Sequence, residues 1–325
     1  MRVQATTAAG TADITQMLTS YNWSGTKKRL ARSMELSQVT AEADPALPRL
    51  DLPNGTAVAL LRDDGTRCFS GYVVKRSRSS DSHVITYTCL DRGMYVAGNE
   101  GWYRFSRVTP EAAARRVCAD FGIPVGRLTA TGVEVSRKFA GVSLHQIVAA
   151  MYTKAAEQTG RRYHLCMEDE AFSVLERPGT ASVTLAPKVN IMASSIAESI
   201  ESLRNSVAIY SDQGALVRTI DDGESVKLYG LLQHALIQRR GGDAAAEARA
   251  YLEDNGVQQT VTVDCLGDDR LVTGGAVLVR QTGAGVAGLF WIDADSHQWK
   301  NGQHVTKLTL NFRNLMDKSK AGTEE

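Results

Sequence analysis

The most informative stretch of the chain runs from Gly288 to Phe312 and reads GLFWIDADSHQWKNGQHVTKLTLNF. Ile292 and the alternate apolar positions of Leu308–Phe312 suit one face of two paired strands, because successive side chains of a strand point to opposite faces. Between them, Asn301-Gly302 has the residue types that a tight hairpin turn requires. The stretch therefore predicts a β-hairpin with one buried face.

Three consecutive letters of this stretch, Asp295-Ser296-His297, are the residue types of a catalytic triad. Neighbours along a chain do not converge as a triad does, since its members normally come from distant segments. We predict a turn in which Asp and Ser bond to nearby backbone, with His297 as a buried hydrogen-bonding group and Trp299 as a core anchor. No catalytic role is predicted for these residues.

Length and composition place the chain among folded globular proteins. Its 325 residues suffice for two or three domains, and 43% hydrophobic with 22% charged residues exclude disorder for most of the chain. The 37 Lys and Arg nearly balance the 36 Asp and Glu. This balance argues against a dedicated nucleic-acid-binding surface.

The sequence shows no pattern of a transmembrane segment, a secretory signal or paired cysteines. The longest apolar run, Ile147–Tyr152, is too short to span a bilayer, and the first residues lack the apolar core of a secretory signal. We therefore expect no membrane span and no export. The cysteines are expected to be reduced, buried side chains, because they occur singly and without metal-ligand spacing. They are Cys68, Cys89, Cys118, Cys166 and Cys265.

The first part of the chain has the alternating pattern of strands. A dense apolar strand is predicted at Ala57–Leu61, followed by a hairpin turn at Arg62–Thr66, where a glycine supplies the positive φ. Strands Arg67–Arg76 and Ser82–Leu90 follow, with Ser77–Asp81 as a polar loop. The pattern predicts a small antiparallel barrel or sandwich.

The middle of the chain changes to helical periodicity. One helix is predicted to begin at Thr109-Pro110, and a second at Ser143, which forms a capping box with Gln146. A hairpin is then predicted across the acidic tip Glu168–Glu170. These elements predict a separate α+β unit between about Tyr95 and Pro187.

Strand patterns resume from Ile191. One helix interrupts them over 244–254, with Asp243 as its N-cap and Asn255-Gly256 as a left-handed C-cap. The polar tail after Asn314 is expected to be frayed. The predicted strands are Ser195–Ser202, Ser206–Tyr210, Leu216–Ile220, Leu231–Gln238, Gln259–Leu266, Ala276–Gln281, Leu289–Asp293 and Val305–Phe312.

The glycine pattern Gly283–Gly288 matches the GxGxxG pattern of dinucleotide-binding sites. Its context contradicts that function, because Leu289–Asp293 is a strand pattern and no helix follows to hold a pyrophosphate. We predict a flexible hairpin loop.

Other candidate chemical groups also have structural explanations. The carboxylates of Glu168–Glu170 are predicted to be solvated at a hairpin tip, with no pocket to raise a pKa. His164 and Cys166 fall on one face of a strand, but no second pair follows at ligand spacing, so core packing is favoured over a metal site. No catalytic, cofactor-binding or metal-binding residue is predicted, which favours a scaffold or binding protein.

The stretch from Gly288 to Phe312 resembles the closing signature of contractile-tail hub proteins. These are the late control protein D-like baseplate hubs of phages and phage-tail-like bacteriocins, of the Gram-positive type. Five other segments match in the same order and together extend over nearly the whole chain. They are Trp23–Gly25, Phe69–Gly71, Phe121–Gly126, Ser202–Tyr210 and Tyr229–Gln233.

The resemblance implies an α+β fold with two tail-tube-like antiparallel β-barrel domains and an inserted helix-containing domain. The corresponding boundaries are 1–95 for the first β domain, 96–190 for the insertion and 191–325 for the second β domain, which has a helical insertion near 243–255 and a polar tail. The two β stretches show no similarity to each other, so this repeat is implied by the family alone.

The resemblance further implies a homotrimeric structural adaptor. It would join the hexameric tail tube to the trimeric central spike, contact other baseplate subunits, and line a channel through which DNA or a tape-measure protein passes. Such a protein is made in the bacterial host cytoplasm, assembles into the virion or tail-like particle, and needs no cofactor. The alternative is a tail-associated protein that binds the cell wall or degrades peptidoglycan.

Overall fold

The computed structural model describes residues 1–8, 10–39, 50–78, 83–238 and 243–324. Its regular structure is mostly antiparallel strand with a smaller share of helix, which confirms the predicted α+β class. The chain divides into two compact units. Unit 1 comprises Met1–Ser194 with Thr262–Glu325, and unit 2 comprises Ser195–Val261.

The described strands are, in chain order, β1 (Arg2–Thr7), β2 (Gly10–Asp13), β3 (Ser20–Thr26), β4 (Arg29–Val39), β5 (Ala57–Leu61), β6 (Arg67–Arg78), β7 (Val84–Asp91), β8 (Glu100–Val108), β9 (Val125–Leu128), β10 (Val135–Ser143), β11 (Tyr163–Glu168), β12 (Ala171–Glu176), β13 (Val183–Leu185), β14 (Ile191–Ser199), β15 (Ser206–Tyr210), β16 (Leu216–Asp221), β17 (Gln233–Ile237), β18 (Gln258–Leu266), β19 (Ala276–Val279), β20 (Gly288–Lys300), β21 (Gln303–Asn311) and β22 (Thr323–Glu324). The helices are α1 (Gly93–Gly98), α2 (Pro110–Asp120), α3 (Leu144–Thr159), α4 (Gly223–Tyr229) and α5 (Ala244–Asp254), with one 3-10 turn at Thr15–Met17.

Unit 1 is built on one long antiparallel sheet. Its strands follow the order β21-β20-β3-β4-β7-β6-β5-β1-β2, and β19 pairs with the first residues of β20. The later half of β20 pairs with β3, so that Ala294–Lys300 lie opposite Ser20–Thr26. Strands from the first and last β-rich stretches therefore share one sheet, and the described strands form no closed barrel. The two-barrel arrangement and its domain boundaries stay predictions.

The inward face of this sheet carries an apolar core. Alternation along β4 buries Met34 and Leu36. Other strands of the same sheet contribute Trp23, Leu60 and Tyr87 to this core. The period of two in the sequence is the cause, because it brings every second side chain to the same face.

The middle of unit 1 has a separate core formed by two helices and two small sheets. α2 packs on α3, α3 also contacts β10 and β11, and α2 contacts β8. The side chains buried in this core include Val117, Phe139, Ile147 and Tyr152. The Ser143 hydroxyl accepts a hydrogen bond from the Gln146 amide at the start of α3, as the predicted capping box requires.

Unit 2 is a three-stranded sheet with a helix on one face. β15 lies between β16, which is antiparallel to it, and β17, which is parallel. α5 packs on Val207 and Ile209 of the central strand. The Asp243 carboxylate caps α5 by accepting from the amides of Ala245 and Ala246.

The hairpin turns predicted from glycine-containing pairs are confirmed. β5 and β6 are joined through Gly65, whose φ is 87°, and β20 and β21 through Asn301 and Gly302, with φ of 53° and 74°. Such positive values match the twist of the flanking strands, which is the reason these residue types mark hairpins.

Three local predictions are wrong. Asp295-Ser296-His297 lies inside β20 and forms no turn, because β3 and β21 pair with it on both sides. Asn255 at the end of α5 has a φ of −114°, so this helix ends without a left-handed cap. Ser77 and Arg78 belong to β6; residues 79–81 of the predicted loop lie outside the described residues.

The C-terminal segment is also ordered where fraying was expected. Met316 is buried, and β22 pairs with β10. The Arg137 guanidinium, itself buried, donates to the carbonyls of Lys320 and Gly322 at 2.9 and 3.0 Å. A polar tail becomes ordered here because its backbone carbonyls satisfy a buried cation that would otherwise be costly.

Candidate functional site

A buried charged cluster centres on Asp295 in the large sheet. Asp295 is 3% exposed and accepts from Arg32 Nη1 at 2.9 Å, while Arg32 Nη2 donates to its second oxygen. The amide and hydroxyl of Thr273 each donate to Asp295 Oδ1 at 2.6 Å. Burial alone would raise the pKa of Asp295, but the Arg32 guanidinium, together with the hydrogen bond from His297, outweighs it and holds this pKa below its usual range. The pair is therefore charged at neutral pH.

His297 is buried beside this pair and is hydrogen-bonded, as predicted. Its Nε2 lies 3.1 Å from the Leu271 carbonyl, which can only accept, so Nε2 carries the proton and Nδ1 accepts from the Thr306 hydroxyl at 3.0 Å. Ser296 lies on the opposite face of β20, where its hydroxyl donates to Asn22. His297 Nε2 also lies 3.3 Å from Asp295 Oδ2, but Ser296 points away from both, so the three triad residues do not converge on one point.

The acidic tip between β11 and β12 lies beside a cleft, contrary to the sequence prediction. Glu168 and Asp169 line a cleft of about 490 Å³ between the large sheet and the β11–β12 hairpin. Glu168 pairs with Arg127, and both Asp169 and Glu170 lie 3.3 Å from Arg67. Hydrogen bonds from Arg127 lower the pKa of Glu168, so the cleft holds an ionised carboxylate and no raised-pKa acid at this position.

Three further titratable groups of the cleft, His164, Cys166 and Cys68, have strongly shifted pKa values. Burial, with the nearby Arg177 and Arg32 cations, lowers the pKa of His164 to about 3, so its imidazole is neutral at pH 7. Burial raises the pKa of Cys166 to about 12 and that of Cys68 to about 11. Both thiols are protonated at neutral pH and are poor nucleophiles.

Two sequence patterns resembled a metal site and a nucleotide site, namely the pair His164 and Cys166 and the glycine pattern Gly283–Gly288. His164 and Cys166 line the cleft, and in the described part of the chain no three His, Cys, Asp or Glu side chains are grouped to hold a metal. The glycine pattern Gly283–Gly288 forms the loop between β19 and β20 and leads directly into a strand. This confirms the predicted hairpin loop.

Cysteine placement agrees with the sequence in part. All five thiols are free. Cys89, Cys118 and Cys265 are buried as small apolar groups, whereas Cys68 and Cys166 are only partly buried.

Sequence reasoning missed the exposed apolar side chains. Trp102 on β8 is 64% exposed, and Leu228 on α4 is 75% exposed. Trp102 stands in an otherwise polar row with Glu100 and Arg104, opposite the buried row Tyr103 and Phe105, so the alternation of β8 contained the signal. Large exposed apolar groups commonly mark contacts with partners.

No helix in the described ranges is long and apolar enough to cross a membrane.

Comparison with known proteins shows similarity along almost the full length. The Phage-like element PBSX protein XkdQ of Bacillus subtilis (strain 168) is 24% identical over 307 residues, covering 91% of this chain and 93% of the relative. The 43 kDa tail protein of prophage MuSo2 from Shewanella oneidensis superposes with a TM-score of 0.74 at 14% identity, covering 98% of this chain and all of the other.

A secretion-system protein shares the fold more distantly. The E. coli c3393 protein, a type VI secretion component described as structurally similar to the T4 bacteriophage tail proteins gp27 and gp5, superposes with a TM-score of 0.51 at 9% identity, covering 95% of this chain and 76% of that one. These matches confirm the resemblance to phage tail hub proteins. The family model described as YqbQ-like matches residues 21–311, and the chain therefore belongs to the YqbQ-like family.

Proposed function

We propose that this protein is the structural hub of a contractile tail baseplate. Three copies form an adaptor that joins the hexameric tail tube to the trimeric central spike and lines the channel between them. The observation that carries the proposal is the match of fold over 98% of the chain to a phage tail protein of the same extent. The protein acts as a component of the virion or tail-like particle.

The chemistry of the described residues supports a structural role. The triad letters do not converge, and the thiols and imidazole of the cleft are in unreactive protonation states. Catalysis by acid, base or nucleophile needs the opposite, namely a group with a pKa matched to its task.

The sheet of unit 1 suits assembly by strand contacts. Within the described strands β2 pairs only with β1 and all four of its residues are exposed, which leaves an edge available to another chain. In our proposal the β stretches 1–95 and 191–325 act as two tube-like halves, so that three chains present six to the tail tube, while 96–190 lies outside the ring.

Sedimentation of the purified protein over a range of concentrations tests the proposal. We expect a monomer at low concentration and a species of three times 35.2 kDa as concentration rises. Electron microscopy of the assembled particle should then show three copies between tube and spike. Six copies, or a ring closed by the 96–190 segment, would contradict the proposed arrangement.

A further inference from the structure

The cleft between the large sheet and the β11–β12 hairpin is lined by residues of unit 1 alone and has a volume of about 490 Å³. Binding pockets in proteins commonly have this size. Apolar side chains, among them Leu165, Met167 and Val272, share the lining with six arginines and four carboxylates. The ligand that such a lining suits depends on the charges that remain unpaired.

Ion pairs within the fold neutralise all but one of these charges. Each lining carboxylate has an arginine partner, in the pairs Asp269–Arg62, Asp169–Arg67, Glu168–Arg127 and Glu176–Arg161. Two more lining arginines, Arg32 and Arg270, pair with Asp295 and Asp268. The sixth, Arg29, has no ion pair or side-chain hydrogen bond with any residue that the structure describes. The cleft therefore presents one unmatched guanidinium.

Two further donors in the lining lack an acceptor. Nε1 of Trp23 and Nε of Arg32 are buried and have no hydrogen-bond partner among the described residues, and Trp23 as a whole is only 4% exposed. Buried donors without a partner are costly, and an oxygen of a bound ligand would satisfy them. Because Asp295 already neutralises Arg32, these two donors suit an uncharged oxygen acceptor.

Arg29 and Trp23 mark the two ends of this site on one hairpin. Arg29 lies opposite Thr26 in the register of β3 and β4, three residues along β3 from Trp23. A strand rises about 3.3 Å per residue, so the two positions are about 10 Å apart. Arg29 is exposed and Trp23 is buried, so the site runs from the mouth of the cleft to its interior. A ligand that meets both is extended, with an anionic outer end and neutral oxygen acceptors farther in.

We infer that the cleft binds a short peptide segment of another tail protein, with one Glu or Asp carboxylate of that segment on Arg29 and its backbone carbonyls directed at the donors of Trp23 and Arg32. A carboxylate matches the planar guanidinium and carries one negative charge, whereas a phosphoryl group would bring nearly two against one unmatched cation. Backbone carbonyls are neutral acceptors that recur along an extended chain.

The site lies within one copy of the chain, so binding of the segment does not depend on the trimer. That the segment belongs to another protein of the particle rests on the proposed function. Apolar side chains next to the carboxylate would pack on Leu165 and Val272 in the cleft wall.

Selection from a random peptide library by the immobilised full-length protein tests the inference. Wild type should enrich peptides that have a single Glu or Asp among apolar residues. Arg29→Gln, at an exposed position, should lose this preference. Lys28→Gln is the matched control and should keep it, because Lys28 is a neighbouring exposed cation outside the lining of the cleft.

Fluorescence anisotropy then measures the dissociation constant of the most enriched peptide. Replacement of its acidic residue by the corresponding amide should weaken binding to wild type about tenfold, since a charge-assisted hydrogen bond is lost. Arg29→Gln should bind the acidic peptide about as weakly and should not distinguish the two peptides. Trp23→Phe, which keeps a ring and removes the donor, should weaken both peptides about threefold. The urea midpoint of each variant checks that its fold is unchanged.

Two results would overturn the inference. A library without acidic preference, or with the same preference for Arg29→Gln as for wild type, would refute the site. Displacement of the peptide by an equal concentration of free glutarate would show a site for small carboxylic acids and refute the peptide ligand. Neither result concerns self-association, so a failure of the proposed trimer, seen by sedimentation, is distinguishable from a failure of this site.

Discussion

The Arg32 guanidinium lies directly over Gly25. A Cβ atom at position 25 would come within 2.3 Å of Arg32 Nη1. Gly25 is on β3, which separates β4, the strand of Arg32, from β20, the strand of Asp295. Only a glycine leaves room for the arginine to cross β3, and Trp23 on the same strand supports it with its ring centre 4.1 Å from the guanidinium carbon. This contact gives Trp23-Ser24-Gly25 a physical explanation.

Substitution of Gly25 should disrupt this crossing. Gly25→Ala is expected to lower the free energy of unfolding by about 3 kcal/mol, because the displaced guanidinium leaves the buried Asp295 carboxylate without its partner. Urea denaturation measures the change. Gly283→Ala, where an added Cβ meets no atom within 4 Å, is the control and should be nearly neutral. Equal stability of the two variants would refute the crossing contact.

Removal of the Asp295 charge should have a larger effect than removal of a surface carboxylate. Asp295→Asn leaves a mostly buried Arg32 unpaired and should cost about 3–5 kcal/mol in unfolding free energy. The exposed Asp63, which pairs with the N-terminus, is the control, and Asp63→Asn should change little.

Acid should remove the contribution of the Asp295 charge to the unfolding free energy of the wild type. Its pKa is lowered in the folded state, so its stabilisation is complete above the unfolded value near 3.8 and is lost as the pH falls below it. The difference in unfolding free energy between wild type and Asp295→Asn should therefore shrink below about pH 4. A difference that stays constant with pH would contradict this.

Asp91 should have the opposite pH dependence. Burial raises its pKa to about 6 from 3.8, even though it accepts from the amides of Arg32 and Gly93. A raised pKa favours the folded state most below pH 3.8, and this contribution is lost as the pH rises through about 6. From this group alone, unfolding free energy should fall by roughly 3 kcal/mol between about pH 4 and pH 7. Asp91→Asn should abolish that part of the slope in urea titrations.

Alanine substitutions at His297 and Ser296 should lower the unfolding free energy by different amounts, and neither should abolish a catalytic activity. His297→Ala removes both buried hydrogen bonds and leaves a cavity, so it should cost about 2–4 kcal/mol and reduce tail assembly through folding. Ser296→Ala loses one partly buried bond and should cost about 1 kcal/mol. Zymography on peptidoglycan should show no lysis by the wild type. Lysis that either variant loses would establish the alternative enzymatic function.

If the protein forms the trimeric hub and channel that we propose, that channel should not retain DNA. Each phosphate held by Lys or Arg adds salt-dependent affinity and would slow a passing duplex. We therefore expect no tight binding of double-stranded DNA by the trimer at physiological salt, measured by fluorescence anisotropy. A sub-micromolar affinity that persists there would contradict a passive channel without contradicting the hub.

Elements that depend on a few neighbouring residues could be predicted from the letters alone. The capping box of Ser143 and Gln146, the Asp243 cap and the turns at Gly65 and Asn301-Gly302 all appear where the sequence indicates them. Each is specified by the φ preference or hydrogen-bonding capacity of residues within one turn, so no distant contact is needed to form it.

Other features depend on residues that are distant in the sequence, and only the tertiary structure decided them. The sequence predicted a turn at Asp295 because its partner Arg32, which lies 263 positions away, is not evident from neighbouring residues. The sequence predicted a frayed tail after Asn314 because the contact of that tail with Arg137 is likewise formed only in the folded protein. Composition and local pattern determined the class, the three longer helices α2, α3 and α5, and the hairpin turns at Gly65 and Asn301-Gly302, but they did not indicate α1 or α4. Pairing across the sheet decided which polar residues are buried, since burial of a charge is stable only where a distant partner meets it.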